Sequence, residues 1–263
     1  MKDKIDVVQT VVKTPDERYL IGLRSKDGYW EFLGGKVEEG ENLEEAAIRE
    51  LNEETDLGLS EDEIQSFEVG ESYRSSDDRK YVLNPVLIEI GKKKASKLSQ
   101  DDLSREHEDF EWIDLHDFYE YETLGQYRAL ENLGIVNGDV ALTVPEDDEK
   151  FLILKRSEKT SSSGLWNFPG GKIENEEKED AAIRELQEET GLKGEIVEEG
   201  ECYISSGELG YWRIFPFLVE ASGEVFLSEE HSEFQWSKIP ELRDLDALGN
   251  LRSLESLGVI EDE

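Results

Sequence analysis

The chain has 263 residues and carries 65 acidic against 29 basic ones, a formal net charge of −36. That balance argues against a basic, phosphate-tracking surface for nucleic acid and against attraction to an anionic membrane face. At 37% hydrophobic with five Trp it is too apolar for a disordered acidic chain, and its one cysteine, Cys202, excludes an intramolecular disulfide and a multi-cysteine zinc site. The acidity has two readings: an ordinary soluble surface rich in Glu, or adaptation to a high-salt cytoplasm where screening relieves self-repulsion. The first residues lack a signal-peptide apolar core, and no apolar run approaches the ~18 residues that span a bilayer, so a reducing cytoplasm is expected.

In chain order, residues 5–12 alternate and are β-branched, which predicts a strand; 19–23 predicts a second. A Trp-x-Phe strand (30–32) runs into Gly34-Gly35, where adjacent glycines permit positive φ and close backbone approach. A helix follows over 43–55, with Asn42 as cap and Glu45 completing a capping box. Polar stretches at 74–80 and 91–102 read as extended loops flanking a strand at 81–90. Glu106-His107 sits in a loop before Trp112, and a helix over 122–133 closes the half. Asn137-Gly138 is a turn signal, placing a boundary between domains 1–136 and 137–263. The second half repeats the order: strands at 139–144, 151–154 and 211–220, glycines at 170 and 171, helices at 178–190 and 246–257, and Glu230-His231 before Trp236. Its first long helix lacks the capping pair, having Glu177 and Asp180 there.

The two halves match in sequence as well as order. WEFLGGKVEEGENLEEAAIRELNEETDL (30–57) parallels WNFPGGKIENEEKEDAAIRELQEETGL (166–192), and similar matches extend from the strand upstream to the closing helix. Repetition at this spacing means two similar domains of about 130 residues, each large enough for its own core. Strands interleaved with helices predict an α/β fold, a mixed sheet with helices on its faces.

On the first long helix Glu50, Glu53 and Glu54 stand at i, i+3 and i+4 and share one face; Glu185, Glu188 and Glu189 repeat the pattern. Like charges at that spacing repel by roughly 0.2–0.5 kcal/mol per pair. A divalent cation reverses the sign, and magnesium suits oxygen ligands and bridges carboxylates to phosphates. The bland alternative is a solvated acidic face.

Gly35-x5-Glu41-x7-Arg49-Glu50-Leu51-x-Glu53-Glu54 resembles the Nudix box, and Gly170, Glu176, Arg184, Glu185, Leu186, Glu188, Glu189, Gly191 and Leu192 fit it again. The resemblance to single-domain, MutT-like Nudix hydrolases covers nearly all of each half and implies tandem α/β/α sandwiches, each with a loop–helix–loop. It implies Mg²⁺ or Mn²⁺ and cleavage of a diphosphate linkage in a nucleoside diphosphate derivative: a nucleoside triphosphate, intact or oxidised, a dinucleoside polyphosphate or a nucleotide sugar. Housekeeping of damaged nucleotides is the first expectation, by analogy with compact family members.

By motif position Glu50, Glu53, Glu54, Glu185, Glu188 and Glu189 would be metal ligands, joined by the box-glycine carbonyl (Gly35, Gly171). Glu41 and Glu176 would support the site, while Arg49 and Arg184 would orient a glutamate. Glu53, Glu54, Glu188 and Glu189, with Glu106 and Glu230, are the catalytic candidates. His107 and His231 are expected to make structural hydrogen bonds. Arg24, Arg156, Lys36 and Lys172 are either phosphate contacts or partners of nearby carboxylates. Asp56 replaces the box's helix-ending glycine, Leu33 stands where the second copy has Pro169, and the second copy is one residue shorter before Arg184.

Both domains are therefore expected to bind metal, with unequal activity or specificity. The alternative is a tandem nucleotide sensor with one or both domains non-catalytic. The expected partner is a small nucleotide rather than a nucleic-acid polymer or a membrane, and the expected state is a pseudo-two-fold monomer or a homodimer.

Overall fold

Strand alternation feeds two faces of each sheet, and the sheets are built from strands distant in sequence. A computed structural model describes residues 4–75, 80–98, 106–123, 126–207, 210–245 and 250–261. The chain divides into two compact units, Met1–Val136 and Asn137–Glu263.

In the first unit β1 (Ile5–Lys13), β2 (Arg18–Arg24), β3 (Trp30–Glu31), β4 (Ile64–Val69), β5 (Tyr73–Arg74), β6 (Tyr81–Ile90) and β7 (His107–Asp114) form one sheet in the order β3-β2-β1-β6-β4, with β5 on β6 and β7 on β2. The β1–β6 pair is parallel, with Ile5 opposite Tyr81 through Lys13 opposite Glu89; β2 and β7 are antiparallel. The helices are α1 (Leu43–Thr55), α2 (Lys92–Ala95) and α3 (Tyr127–Asn132). In the second unit β8 (Val136–Asp147), β9 (Lys150–Arg156), β10 (Trp166–Asn167), β11 (Gly170–Lys172), β12 (Lys193–Glu199), β13 (Tyr203–Gly207), β14 (Gly210–Ser222) and β15 (His231–Ser237) run in the order β10-β9-β8-β14-β12, with β11 on β8, β13 on β14 and β15 on β9. Its helices are α4 (Lys178–Thr190), α5 (Ile239–Arg243) and α6 (Asn250–Ser256). Each unit is thus a mixed sheet with helices, the α/β/α arrangement expected.

Strand β9 shows why both faces are covered. Leu152 and Leu154 join Ala181, Ala182 and Leu186 of α4 in one core cluster. Phe151 and Ile153, pointing the other way, join Phe168 and Leu254 of α6 in a second. Each such side chain, fully buried, contributes roughly 1.5–3 kcal/mol.

The long helices start and stop as their sequences dictate. Asn42 accepts from the Glu45 N–H at 3.0 Å, and the Glu45 carboxylate accepts from the Asn42 N–H at 2.9 Å. Glu177 makes no side-chain cap on α4. Asp56 ends α1 at φ 49°, in the left-handed region that Gly191 occupies at φ 70° after α4. Among the described residues no helix is long and apolar enough to cross a membrane.

Four expectations need correction. Asn137-Gly138 is not a turn but lies inside β8, because the strand starts as soon as α3 ends at the left-handed Gly134 (φ 67°). The segment before Trp112 is not a loop: β7 begins at His107 and β15 at His231, leaving Glu106 and Glu230 as the last residues before a strand. The stretch 91–102 contains α2, held by a buried Lys94 whose Nζ donates to Glu63 at 2.6 Å and to the Gly58 carbonyl at 2.9 Å. The helix expected over 122–133 starts only at Tyr127, Thr123 being bridged to Trp30; residues 76–79 and 99–102 of the two polar stretches, 124–125 of that helix and 246–249 of the last predicted helix lie outside the described residues.

Candidate functional site

The glycine turn is pressed against the long helix at two points, identically in both units. The Gly34 N–H donates to Glu54 at 3.1 Å, and the Gly170 N–H to Glu189 at 3.0 Å. A Cβ on Gly35 would lie 2.3 Å from the Glu50 carboxylate, and one on Gly171 2.3 Å from that of Glu185. Only glycine allows so close an approach. These contacts fix the register between the copies: Gly34 corresponds to Gly170 and Gly35 to Gly171. The residue missing from the second copy therefore falls after Lys172, in the loop where the first copy has Gly40 at φ 88°.

A single arginine organises each acidic cluster. Arg49 donates Nε and Nη2 to the two oxygens of Glu41, both at 2.9 Å, and Nη1 to Glu50 at 2.8 Å and Glu53 at 3.3 Å; Nη2 also binds the Lys36 carbonyl at 2.9 Å. Arg184 makes the same set with Glu176 (2.7 Å), Glu185 (2.5 Å), Glu188 (3.2 Å) and the Lys172 carbonyl (3.1 Å). The shorter loop of the second copy still delivers Glu176 to its arginine. Hydrogen bonds from these guanidiniums hold the Glu41 and Glu176 carboxyls below their ordinary range.

The innermost acids are different. Glu54 and Glu189 are 5% and 6% exposed. Burial pushes the Glu54 carboxyl up to about 9, with Glu31, Glu50 and Glu106 adding repulsion. Burial pushes Glu189 up to about 8, with Glu185 and Glu230 adding to it. Burial also raises Glu50 and Glu185, and Glu106 and Glu230 again add repulsion. Glu106 and Glu230, each just before a strand, thus add to the negative field of the cluster.

These shifts carry a stability prediction. Between the ordinary carboxylate value of 4.5 and the raised values of about 9 and about 8, the folded chain keeps protons that the unfolded chain has released. Stability without divalent ions should therefore fall as pH rises through that window. Glu54→Gln mimics the protonated state, so in EDTA at pH 8 it is expected to raise the melting temperature by several degrees, about 1–2 kcal/mol. Thermal melts of both proteins from pH 5 to 8 check this; a variant no more stable than the parent at pH 8 would refute it.

The remaining expected residues divide. The Gly35 carbonyl accepts from the Val8 N–H at 2.8 Å and so points into the sheet, and Gly171 faces Ala141 across the β11–β8 ladder. Arg24 is drawn to carboxylates, Asp27 at 3.2 Å and Glu31 at 3.5 Å. Arg156, its counterpart, donates Nε to the Ser161 carbonyl at 2.7 Å, and its charge acts on Glu189 of the cluster. Lys172 sits over the Trp212 ring, 4.6 Å from its centroid. The imidazoles of His107 and His231 are buried, and their ring nitrogens make no hydrogen bond; the expected structural hydrogen bonds are not formed. Instead His107 packs on Gly22 and Phe110, and burial lowers His231 to about 4. Phe32 and Phe168 are buried, while Trp112 and Trp236 are partly buried against the cores.

Sequence reasoning missed a cavity of about 360 Å³ in the second unit, between the glycine strand β11 and the β13–β14 pair. Its walls include Leu142, Tyr203, Trp212 and Ile214, with Arg156, Asn167 and Lys172 as polar members. One trace in the sequence was the exchange of Glu31 for Asn167 between the two copies of the repeat.

The clusters suit a hard divalent cation. The donors are carboxylate oxygens; Glu50, Glu54, Glu185 and Glu189 are partly or fully buried, and burial and neighbouring acids raise their proton affinity, which a cation would relieve. As the side chains stand, no group of three or more His, Cys, Asp or Glu among the described residues is arranged to hold an ion; the arginines hold the outer acids.

Comparison with known proteins fits this geometry. The NUDIX domain family model matches residues 5–133 and again 137–257, and the chain belongs to the Nudix family. Among curated relatives, it is 38% identical to the CTP pyrophosphohydrolase of Escherichia coli K12 over 69 residues, 26% of this chain and 48% of that protein. It is 28% identical to the ADP-ribose pyrophosphatase of Bacillus subtilis over 120 residues, 45% of this chain and 63% of that protein. The chain thus spans less than two thirds of either relative. The crystal structure of a MutT protein from Methanosarcina mazei Go1 is similar at TM-score 0.43 and 23% identity, over 47% of this chain and 94% of that one.

Proposed function

We propose that the chain is a divalent-metal-dependent hydrolase that cleaves a diphosphate linkage in a nucleotide derivative. The observation that carries this is the duplicated cluster itself: a buried glutamate, two further helix glutamates and an arginine clamp, pressed on a glycine turn in each domain. Relatives named for pyrophosphate cleavage in CTP and ADP-ribose support the reaction class.

Glu50, Glu53 and Glu54 would hold the ion in one domain, and Glu185, Glu188 and Glu189 in the other. When bound, Mg²⁺ or Mn²⁺ supplies Lewis acidity, neutralising phosphate charge and acidifying a bound water. Arg49 and Arg184 are positioning residues, since their guanidinium groups are taken up by the glutamates and a carbonyl. Glu106 and Glu230, at the cluster's edge, would take the proton from the attacking water. Arg156 and Lys172 would bind the phosphates in the second domain.

A non-catalytic role fits the first domain better than the second, because Asp27 and Glu31 already neutralise Arg24. A panel of nucleoside triphosphates, dinucleoside polyphosphates and nucleotide sugars, with Mg²⁺ or Mn²⁺ and products resolved, tests the proposal. Hydrolysis of at least one class is expected; binding without turnover of any would favour the sensing alternative.

A further inference from the structure

The first domain buries a histidine that nothing in the fold answers. The His107 side chain is 1% exposed, and neither ring nitrogen has a hydrogen-bond partner. Its Nε2 faces Glu31 Oε1 at 3.5 Å without a hydrogen bond between them. A buried polar group left unpaired is costly, and one aimed at a carboxylate marks a place for a cation.

The spacing says what kind of ion. Two ligands on a tetrahedral ion, each about 2.0–2.1 Å from it, stand roughly 3.3–3.4 Å apart. An imidazole nitrogen beside a carboxylate oxygen suits an ion such as Zn²⁺ or Co²⁺, whereas magnesium prefers oxygen alone. The backbone is shaped to allow this. Gly22 pairs with Glu31 of β3 and with Phe110 of β7, and a Cβ on it would lie 2.6 Å from His107 Cδ2 and 3.0 Å from Nε2. Only glycine leaves room for the ring at that position.

The pair supplies two ligands, and as the side chains stand no third acid completes a set among the described residues. Glu54 is the acid most tightly coupled to the pair: of the carboxylates that repel it, Glu31 acts most strongly. A cation at the pair turns that repulsion into attraction. Arg24, which touches Glu31 at 3.5 Å, keeps Asp27 at 3.2 Å when Glu31 turns to an ion.

The second domain lacks the arrangement. Leu154 stands where Gly22 does and Asn167 where Glu31 does, and His231 Nε2 lies 3.9 Å from Glu189 instead.

We propose that the first domain carries a zinc-class metal site in addition to its box glutamates: His107 Nε2 and Glu31 bind the ion, with Glu54 as third ligand. This goes beyond the hydrolase reading and does not depend on turnover. The test is a titration of the full chain with Co²⁺, whose visible absorption reports a four-coordinate site, in the presence of excess Mg²⁺ to occupy sites made of oxygen alone.

The parent is expected to retain Co²⁺ and to show the intense band of a four-coordinate ion. Glu31→Gln and His107→Phe are each expected to lose the band and weaken Co²⁺ binding by at least about 10-fold, the lower end of what disturbing a metal site costs. His231→Phe, the same change in the second domain, should leave both unaltered. Melting temperatures without metal show that the variants are folded; should His107→Phe fail there, the near-isosteric Glu31→Gln decides alone. A parent that holds no Co²⁺ above the Mg²⁺ background, a band that survives Glu31→Gln, or a band lost in His231→Phe would overturn the assignment. Failure of the hydrolase reading would appear separately, as intact nucleotide in the magnesium panel despite retained Co²⁺.

Discussion

Glu188→Gln/Glu189→Gln is expected to lower kcat on the order of 10³-fold, whereas Glu53→Gln/Glu54→Gln should leave most turnover in place. Both pairs stand on equivalent helices, so the glutamates alone do not create the difference. It comes from what surrounds them. In the second domain Arg156 is held by the Ser161 carbonyl and lies near Glu189 of the cluster itself, Lys172 lies over Trp212, and a cavity joins both to the glycine turn. In the first, Arg24 is bound by Asp27 and Glu31, and Gln9, Gln126 and Tyr73 satisfy one another. Steady-state kinetics of the two double variants on the best panel substrate decide it. Equal and near-complete loss in both would mean that the domains depend on each other for one reaction, and the proposed asymmetry would fail.

Replacing Arg184 is the second large effect expected. Its guanidinium contacts three glutamates and a main-chain carbonyl, so removal releases Glu176, Glu185 and Glu188 together. Groups that orient metal ligands typically change metal affinity about 10–100-fold when removed, and Arg184→Ala should weaken Mn²⁺ binding by that amount. Arg184→Lys should not rescue it, because an ammonium cannot reproduce the planar fork that reaches these acids simultaneously. Excess Mn²⁺ should restore much of the lost rate with KM for the nucleotide little changed. A raised KM with unaltered metal affinity would instead make Arg184 a substrate contact.

Much of the fold was legible because it is encoded locally. The helix over 43–55 declared itself by Asn42, Glu45 and the apolar face through Ala47 and Leu51, and the structure gives α1 those bounds. Strand 81–90 likewise stands as β6, with its β-branched core residues buried. Strands β7 and β15 were not legible. Their sequences, HEDFEWID and HSEFQWS, are polar and do not alternate cleanly with apolar residues, and they become strands by pairing with β2 and β9 rather than by propensity.

The acidic cluster followed from spacing on one helix, but its internal order did not. Which glutamate is buried depends on the Gly34 and Gly170 amides reaching Glu54 and Glu189 across the turn. The cavity was least legible, since Leu142, Asn167, Tyr203 and Trp212 come from four separate strands.

The most direct test of the central claim, that three glutamates in each domain grip a divalent ion, is a Mn²⁺ titration of the full chain followed by electron paramagnetic resonance. Two separable sites should appear, one lost in Glu53→Gln/Glu54→Gln and the other in Glu188→Gln/Glu189→Gln. No retained Mn²⁺ at millimolar concentration, or full retention in both double variants, would contradict the account.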